Sequence, residues 1–225
     1  MDATVVKVGG SLASYPEKLR ALCAKLAELS QRHRLIVVPG GGEFADVVRD
    51  LDRRFSLSPS AAHRMAILGM DQYGLLLSDL LPNSCAVTEL DRLRETLDLG
   101  KLPVFLPSTF MFAEGTLESS WDVTSDSIAV HIAGCLHATR TILVTDVDGV
   151  YTCDPKKSAE AKLIEKLPAR ELSRMGKRSS VDRFLPKLLL QLQAECFVVN
   201  GLYPERVEAI LKGQVTTCTL ITGKP

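Results

Sequence analysis

The chain has 225 residues, and its 27 basic and 27 acidic side chains give a formal net charge of zero. A chain of this length can bury a sizeable core, and its balanced charge argues against nucleic acid or an anionic membrane as a partner. Its apolar runs are too short to cross a bilayer, and the sequence does not open on a secretion signal. We therefore expect a cytoplasmic enzyme; by length alone it forms one large domain or two small ones.

Short apolar runs alternate along the chain with stretches of helical period. Nearly continuous apolar runs are typical of strands covered on both faces. The alternation predicts an α/β fold, a three-layer αβα sandwich with an open, mostly parallel central sheet. Residues 107–123 are irregular and are predicted to form a small hairpin or lid. In chain order the pattern predicts strands at 4–8, 34–38, 84–88, 103–106, 141–145, 196–199 and 216–221, and helices over the leucines from 19 to 29 and at 43–54, 59–81, 126–137, 182–195 and 204–212.

The first predicted strand carries a lysine and is followed by two glycines and a serine. Lys7 lies in an apolar run, where an ammonium group is costly unless it reaches a partner or a solvent-filled cleft. Gly9, Gly10 and Ser11 stand between a strand and a helix, where backbone amides can hold a phosphate group. Two simpler explanations stay open: an edge strand for Lys7, and a turn that needs glycine only for a positive φ.

Three consecutive glycines follow the second predicted strand and precede a helix. They are Gly40, Gly41 and Gly42. A turn does not by itself require three glycines, so the pattern favours close approach of the backbone to an anion. We interpret it as a second turn suited to phosphate.

A carboxylate stands where the helix after residue 123 is predicted to begin. Thr124, Ser125 or Asp126 could simply cap that helix. Asp126 could instead orient lysine ammonium groups and keep them charged beside phosphates. Both interpretations stay open.

The strand predicted at 141–145 ends in an acidic turn that contains Asp146 and Asp148. Ligands of open α/β sheets bind at the carboxyl ends of strands, so this turn lies where a nucleotide is expected. The formation of the turn explains the aspartates equally well. Lys187 begins a leucine-rich helix, where it either reaches a phosphate or lies in water.

Glycine-rich turns and well-separated lysines together suit phosphoryl transfer, because lysines neutralise the charge that shifts when a phosphoryl group moves. The sequence contains neither a Walker A motif nor the motif set of protein kinases. Its six cysteines and four histidines show no metal-ligand spacing. We therefore predict a phosphoryl-transfer enzyme of another architecture, without a metal site built from side chains.

These motifs, in this order, resemble those of the amino acid kinase superfamily over nearly the whole chain. The resemblance implies a single domain over residues 1–225, with Lys7 and Lys187 as catalytic lysines and Asp126 as the residue that organises both. It also implies that ATP and Mg²⁺ are bound, that the acceptor is a small phosphate compound, and that the chain forms a homo-oligomer, a dimer or a hexamer. The implied nucleotide-binding residues are Gly9, Gly10, Ser11, Thr145, Asp146, Asp148, Tyr151, Asp154 and Lys156, and the implied acceptor-binding residues include Gly40, Gly41, Gly42 and Thr124.

Within the superfamily, residues 61–74 and 121–126 resemble the methanofuran-biosynthesis branch. Isopentenyl phosphate kinases usually carry a histidine just after the acceptor glycines, and bacterial uridylate kinases an asparagine and an arginine. Residues 43–46, with the sequence Glu-Phe-Ala-Asp, contain none of these. The branch phosphorylates (5-(aminomethyl)furan-3-yl)methyl phosphate to its diphosphate.

An acceptor of this kind carries an ammonium group, for which we expect a carboxylate partner. Asp46 and Asp71 are the candidates, with His63 as a polar neighbour. A surface aspartate and a satisfied interior histidine explain the same residues. Two alternatives also stay open for the chain: a kinase for UMP, isopentenyl phosphate or acetylglutamate, and a nucleotide-binding or anion-binding protein without turnover.

Overall fold

The computed structural model describes residues 2–153, 158, 160–175 and 180–224. Within these residues, eight strands form one sheet. The strands are β1 (Thr4–Val8), β2 (Leu35–Pro39), β3 (Ser84–Val87), β4 (Leu102–Phe105), β5 (Arg140–Thr145), β6 (Lys166–Pro168), β7 (Glu195–Asn200) and β8 (Cys218–Thr222).

Across the sheet the strands follow the order β3-β4-β2-β1-β5-β7-β8-β6. Neighbouring strands are parallel except β7 and β8, which are antiparallel. β1 is therefore central, with Lys7 in register with Val38 of β2 and Leu143 of β5. The predicted mostly parallel sheet is confirmed, and an edge position for Lys7 is excluded.

The described residues also contain nine α-helices and a short 3-10 helix at Gly10–Ser14. The α-helices are α1 (Pro16–Ser30), α2 (Gly42–Phe55), α3 (Pro59–Leu80), α4 (Leu90–Asp98), α5 (Ser108–Glu114), α6 (Ser125–Cys135), α7 (Ala169–Leu172), α8 (Leu185–Leu192) and α9 (Glu205–Leu211). In the described part of the chain, none of them is both long and apolar enough to span a membrane.

Two hydrophobic clusters cover the two faces of the sheet, which gives the predicted three layers. Val6 of β1 packs in one cluster with Leu22 of α1 and Leu77 of α3. Val5 packs in the other cluster with Ile128 of α6, and residues of α8 join them there. Side chains alternate between the faces of a strand, so Lys7 shares the face of Val5 and points toward α6.

The sequence missed four short elements, β6, α4, α5 and α7. The segment 107–123, predicted as a hairpin or lid, contains helix α5 and no strand in the described chain. α8 begins at Leu185 rather than at residue 182, because Asp182 precedes the helix and its carboxylate accepts a hydrogen bond from Leu185 N at 2.9 Å. The four missed elements have three to nine residues each, which is too few for a clear hydrophobic period in the sequence.

Candidate active site

The loops after β1 and β2 meet at the carboxyl-terminal edge of the sheet. Gly9 N donates to Val144 O at 2.7 Å, and Gly40 N donates to Val8 O at 2.8 Å. Each loop is thereby fixed to the strand beside it. The buried Tyr73 of α3 also donates its hydroxyl to Gly9 O, at 3.3 Å.

The glycines of these two loops pack directly against each other. A Cβ atom on Gly10 would lie 2.0 Å from Gly42 N, and one on Gly40 would lie 2.5 Å from Gly10 N. Gly42 also adopts a φ of 54°, a left-handed conformation that favours glycine. Contact between the two loops is therefore a reason for these glycines that the sequence analysis did not consider. Phosphate binding at Gly9, Gly10, Gly40, Gly41 and Gly42 stays a prediction.

Lys7 and Asp126 form a buried ion pair beside these loops. Lys7 Nζ lies 2.6 Å from Asp126 Oδ1, and the two side chains are 8% and 9% exposed. Among the described residues Asp126 Oδ1 accepts no hydrogen bond, so the ammonium group of Lys7 is its compensation. A Cβ atom on Gly9 would lie 3.6 Å from Lys7 Nζ, which places that ammonium group next to the loop after β1. The structure thus unites two residues that the sequence singled out separately.

Asp182, which was not among the predicted site residues, supports this pair. Asp182 N donates to Asp126 Oδ2 at 3.1 Å. The Asp182 carboxylate accepts from Thr124 N and Thr124 Oγ1, at 2.9 and 3.0 Å, and from Ser127 N and Ser127 Oγ, at 2.9 and 2.6 Å. It also accepts from Leu185 N, so one carboxylate joins the beginnings of α6 and α8. An aspartate three residues before an apolar helix was the available signal.

These hydrogen bonds also decide between the explanations for the start of α6. Thr124 is the residue before the helix, and its side chain makes no capping hydrogen bond there. Asp182 satisfies the Ser127 amide instead. Asp126 is turned to Lys7 instead of capping α6, and its role of orienting lysines for catalysis stays a prediction.

Lys187 lies in the first turn of α8 but does not join the ion pair. Its side chain is exposed, and its Nζ lies 4.8 Å from the centroid of the Phe184 ring. Of the described ion pairs, the one at Asp126 joins it to Lys7 and none joins it to Lys187, so the prediction that Asp126 organises both lysines stays a prediction. The start of α8 is nevertheless linked to Asp126, because Asp182 hydrogen-bonds both to Asp126 and to Leu185, the first residue of α8.

The turn after β5 is tied to the loop after β1. Ser11 Oγ donates to Asp146 Oδ1 at 2.8 Å, and Thr145 Oγ1 donates to the same oxygen at 3.3 Å. Three segments predicted to touch a nucleotide or acceptor therefore lie together at one edge of the sheet. The predicted residues Asp154 and Lys156 lie outside the described residues.

The partly exposed carboxylate of Asp148 contacts three other side chains of the protein. It accepts hydrogen bonds from Asn200 Nδ2 at 2.9 Å and Tyr151 OH at 3.3 Å, and it pairs with Arg206. Burial would raise the pKa of Asp148, but the bonds from Asn200 and Arg206 outweigh burial and hold the pKa below its usual value. Its carboxylate shapes the turn, so nucleotide contact by Asp148 and Tyr151 stays a prediction.

A cavity of about 290 Å³ opens between the glycine loops, α2, α3 and the start of α6. Its lining includes five of the predicted acceptor-binding residues, Gly41, Gly42, Asp46, His63 and Thr124, together with Gly10 and Ser11. Burial lowers the pKa of His63, against a hydrogen bond with the Ser120 backbone that raises it, so the imidazole is neutral at neutral pH.

Asp71 does not reach this cavity. Its Oδ1 accepts from Ser108 N at 3.2 Å, and its Oδ2 accepts from Ser108 Oγ. The carboxylate thus holds the first residue of α5, and it is not among the described residues of the cavity lining. Asp71 is therefore removed from the two candidates for the acceptor amine, and Asp46 remains.

The end of the cavity away from the glycine loops, here called its far end, is lined by Arg49 and Trp121, which were not among the predicted site residues. Arg49 Nη1 donates to Asp46 Oδ1 at 2.7 Å, and Arg49 Cζ lies 4.8 Å from the centroid of the Trp121 ring. Trp121 Nε1 donates to Asp52 Oδ2 at 2.8 Å. Trp121 is thereby docked on α2, where it closes one side of the cavity.

Histidine, cysteine, aspartate and glutamate are the side chains from which a metal site could be built. No group of three or more histidine, cysteine, aspartate or glutamate side chains suited to a metal ion occurs within the described ranges. Two carboxylates at the site contact other side chains: Asp126 pairs with Lys7, and Asp146 accepts a hydrogen bond from Ser11.

Comparisons with known proteins agree with this architecture. A model of the amino acid kinase family matches residues 2–200. The [5-(aminomethyl)furan-3-yl]methyl phosphate kinase of Methanocaldococcus jannaschii is 35% identical over 97% of each chain. A uridylate kinase of Thermofilum pendens is 31% identical over 96% of each chain. The solved uridylate kinase of Archaeoglobus fulgidus has a TM-score of 0.76 at 23% identity, over 98% of this chain and 100% of that one, which supports the fold.

The titration of Asp182 gives a first prediction. Burial and the neighbouring Asp126 carboxylate raise the pKa of Asp182 to about 6, from 3.8. Between these pH values the folded chain binds a proton that the unfolded chain has lost. The stability that this group contributes is therefore fully present below about pH 4 and is lost as the pH rises to about 6.

Urea unfolding of the wild type and of Asp182→Asn, measured from pH 4 to pH 7, checks this. The variant lacks the titration and serves as the reference. The free energy of unfolding of the wild type should fall relative to the variant as the pH rises, and the difference should level off above about pH 6. A difference that stays constant, or that grows in favour of the wild type, would contradict the prediction.

Proposed function

Because the chain belongs to the amino acid kinase family and is a kinase, we propose that it transfers the γ-phosphoryl group of ATP to the phosphate group of (5-(aminomethyl)furan-3-yl)methyl phosphate. The observation that best supports phosphoryl transfer is the buried Lys7–Asp126 pair, whose ammonium group lies beside the loop after β1. A buried ion pair does little for stability in general, so its presence at this edge favours a chemical role.

In the proposed mechanism the residues of the site act by position and charge. Lys7 neutralises charge on the phosphoryl group as it moves, and Asp126 fixes the direction of its ammonium group. Lys187, which lies on α8, turns away from the Phe184 ring and toward the same phosphoryl group. A phosphate acceptor is already nucleophilic at neutral pH, so the site requires no general base.

The residues at the carboxyl ends of the strands suit a nucleotide whose phosphate groups carry the bound Mg²⁺. The loop after β1 presents Gly9, Gly10 and Ser11 at the start of a helix, a setting suited to phosphate. Thr145 and Asp146 adjoin that loop through the Ser11 hydroxyl. Mg²⁺ is commonly held by phosphates and water with few protein ligands, so the proposal does not require a metal-binding cluster of side chains. When bound, Mg²⁺ would neutralise phosphate charge.

The acceptor proposal rests on the charges of the cavity as well as on the relative from Methanocaldococcus jannaschii. In the described lining of the cavity, the two carboxylates of Glu43 and Asp46 outnumber the one guanidinium group, that of Arg49. These carboxylates would repel a purely anionic acceptor and attract one with an ammonium group. UMP, the substrate that the name of the uridylate kinases implies, lacks such a group. UMP is nevertheless the second candidate, because a uridylate kinase matches at 31% identity.

A binding protein without turnover is the rival class. Such a protein would need donors for an anion, but it would not need a desolvated lysine oriented by a carboxylate. The buried pair therefore favours turnover.

The single domain, the cytoplasmic location and the dimer or hexamer stay predictions. The exposed side chains of Leu68, Leu75 and Leu76 on α3 favour self-association.

An acceptor panel tests the proposed function. ADP release from ATP would be measured with (5-(aminomethyl)furan-3-yl)methyl phosphate, UMP, isopentenyl phosphate and acetylglutamate, each with and without Mg²⁺. We expect the highest kcat/KM with the furan phosphate. Faster turnover of UMP would replace the proposed acceptor, and no acceptor-dependent ADP release with any compound would favour the binding protein.

The substitution Lys187→Ala tests the role of the second lysine. The lysine is exposed and free of ion pairs to described residues, so the melting temperature should not change. Loss of a cation that stabilises the transition state should lower kcat by about 10²-fold or more. Lys212→Ala is the matched control, because Lys212 is also exposed and, among the described residues, forms its ion pair with nearby Glu208 at 2.6 Å. A near-normal kcat in Lys187→Ala would remove Lys187 from the mechanism.

A further inference from the structure

The far end of the cavity already holds a cation. The guanidinium group of Arg49 lies between the Asp46 carboxylate, at 2.7 Å, and the face of the Trp121 ring, at 4.8 Å from its centroid. A carboxylate and an aromatic face together make a favourable site for a positive charge. The chain therefore occupies with its own side chain a place that would also suit an ammonium group.

The charges along the cavity differ from one end to the other. Among the described residues that line the cavity, Arg49 carries a positive charge, and Glu43 and Asp46 carry negative charges. With a helical rise of about 1.5 Å per residue, Asp46 lies about 6 Å along α2 from Gly42, and Arg49 about 10 Å. An acceptor whose phosphate group lies at the glycine loops would thus extend its other end toward Asp46.

We propose that Arg49 is a specificity-determining residue: it occupies the ammonium site at Asp46 until the ammonium group of an acceptor replaces it there. The proposal rests on the proposed function for the presence of an ammonium group opposite the phosphate. An acceptor without that group cannot take the place of Arg49, so it gains nothing from Asp46. Arg49 thereby helps the site to distinguish aminated acceptors from purely anionic ones.

The weakness of the ion pair makes such an exchange feasible. The side chains of Arg49 and Asp46 are 47% and 69% exposed, so the pair contributes little to stability and opens readily. Besides its contact with Arg49, Trp121 donates a hydrogen bond to Asp52, so the wall of the cavity keeps this anchor when the guanidinium group leaves Asp46.

A direct contact between Arg49 and the acceptor phosphate is the competing explanation. Phosphoryl transfer requires that phosphate near Lys7 and the glycine loops. Arg49 lies two helical turns away from Gly42, and its guanidinium group is turned to Asp46 and Trp121. The geometry therefore favours a role at the ammonium end.

Isothermal titration calorimetry without ATP tests the proposal separately from turnover. The two probes are (5-(aminomethyl)furan-3-yl)methyl phosphate and its analogue with a methyl group in place of the aminomethyl group. Each is titrated into the wild type, Arg49→Gln, Asp46→Asn and the double variant. The matched control is Arg54→Gln, because Arg54 pairs with Asp50 on the same helix at 2.8 Å and is outside the described cavity lining.

The preference for the amine is the ratio of the two dissociation constants, methyl analogue over aminated acceptor. Arg49→Gln should raise this ratio about threefold, the size expected for release of an exposed ion pair. Asp46→Asn should bring the ratio near one, and Arg49→Gln should then have no further effect in the double variant. Arg54→Gln should leave the ratio unchanged.

Three results would overturn the proposal. They are a wild type that shows no preference for the amine, an Arg49→Gln variant that weakens both probes alike, and an effect of Arg49→Gln that persists in the Asp46→Asn background. Failure of the proposed function looks different: the aminated acceptor would bind with the expected dependence on Arg49, but the enzyme would not release ADP with it.

Discussion

The buried ion pair between Lys7 and Asp126 is the constraint on which the site depends. Two charges removed from water are costly unless they face each other at close range. Here the central position of β1 brings Lys7 to the end of the sheet, and α6 brings Asp126 to within 2.6 Å of it. Asp182 completes the arrangement, because its backbone amide binds Asp126 while its carboxylate binds the starts of α6 and α8.

The glycine loops form the second constraint. Gly10 and Gly42 approach so closely that a Cβ atom on Gly10 would lie within 2.2 Å of Gly42 Cα. This contact brings the start of α2 beside the loop after β1, and the cavity lies along the same helix. The backbone of the two loops therefore determines both where a phosphate group could lie and in which direction an acceptor would extend.

Local patterns in the sequence were enough to predict the parallel sheet and to single out Lys7 and Asp126. An ammonium group in a buried strand and a carboxylate at a helix start each leave a signal within a few residues. Asp182 left a weak one, because its partners lie 55 to 58 residues away and only tertiary packing brings them together. The prediction for Asp71 failed for the same reason. Its carboxylate accepts a hydrogen bond from Ser108, 37 residues away, and does not line the cavity.

The most direct test of the account is a double-mutant cycle on the central pair, with Lys7→Met, Asp126→Asn and both together, followed by urea unfolding at pH 7. Lys7→Met alone leaves a buried carboxylate without its partner and should lower the free energy of unfolding by about 3–5 kcal/mol. The double variant should lose much less than the sum of the two single variants, and all three should lack kinase activity. Additive losses would contradict the account, because the two charges would then stabilise the fold independently of each other.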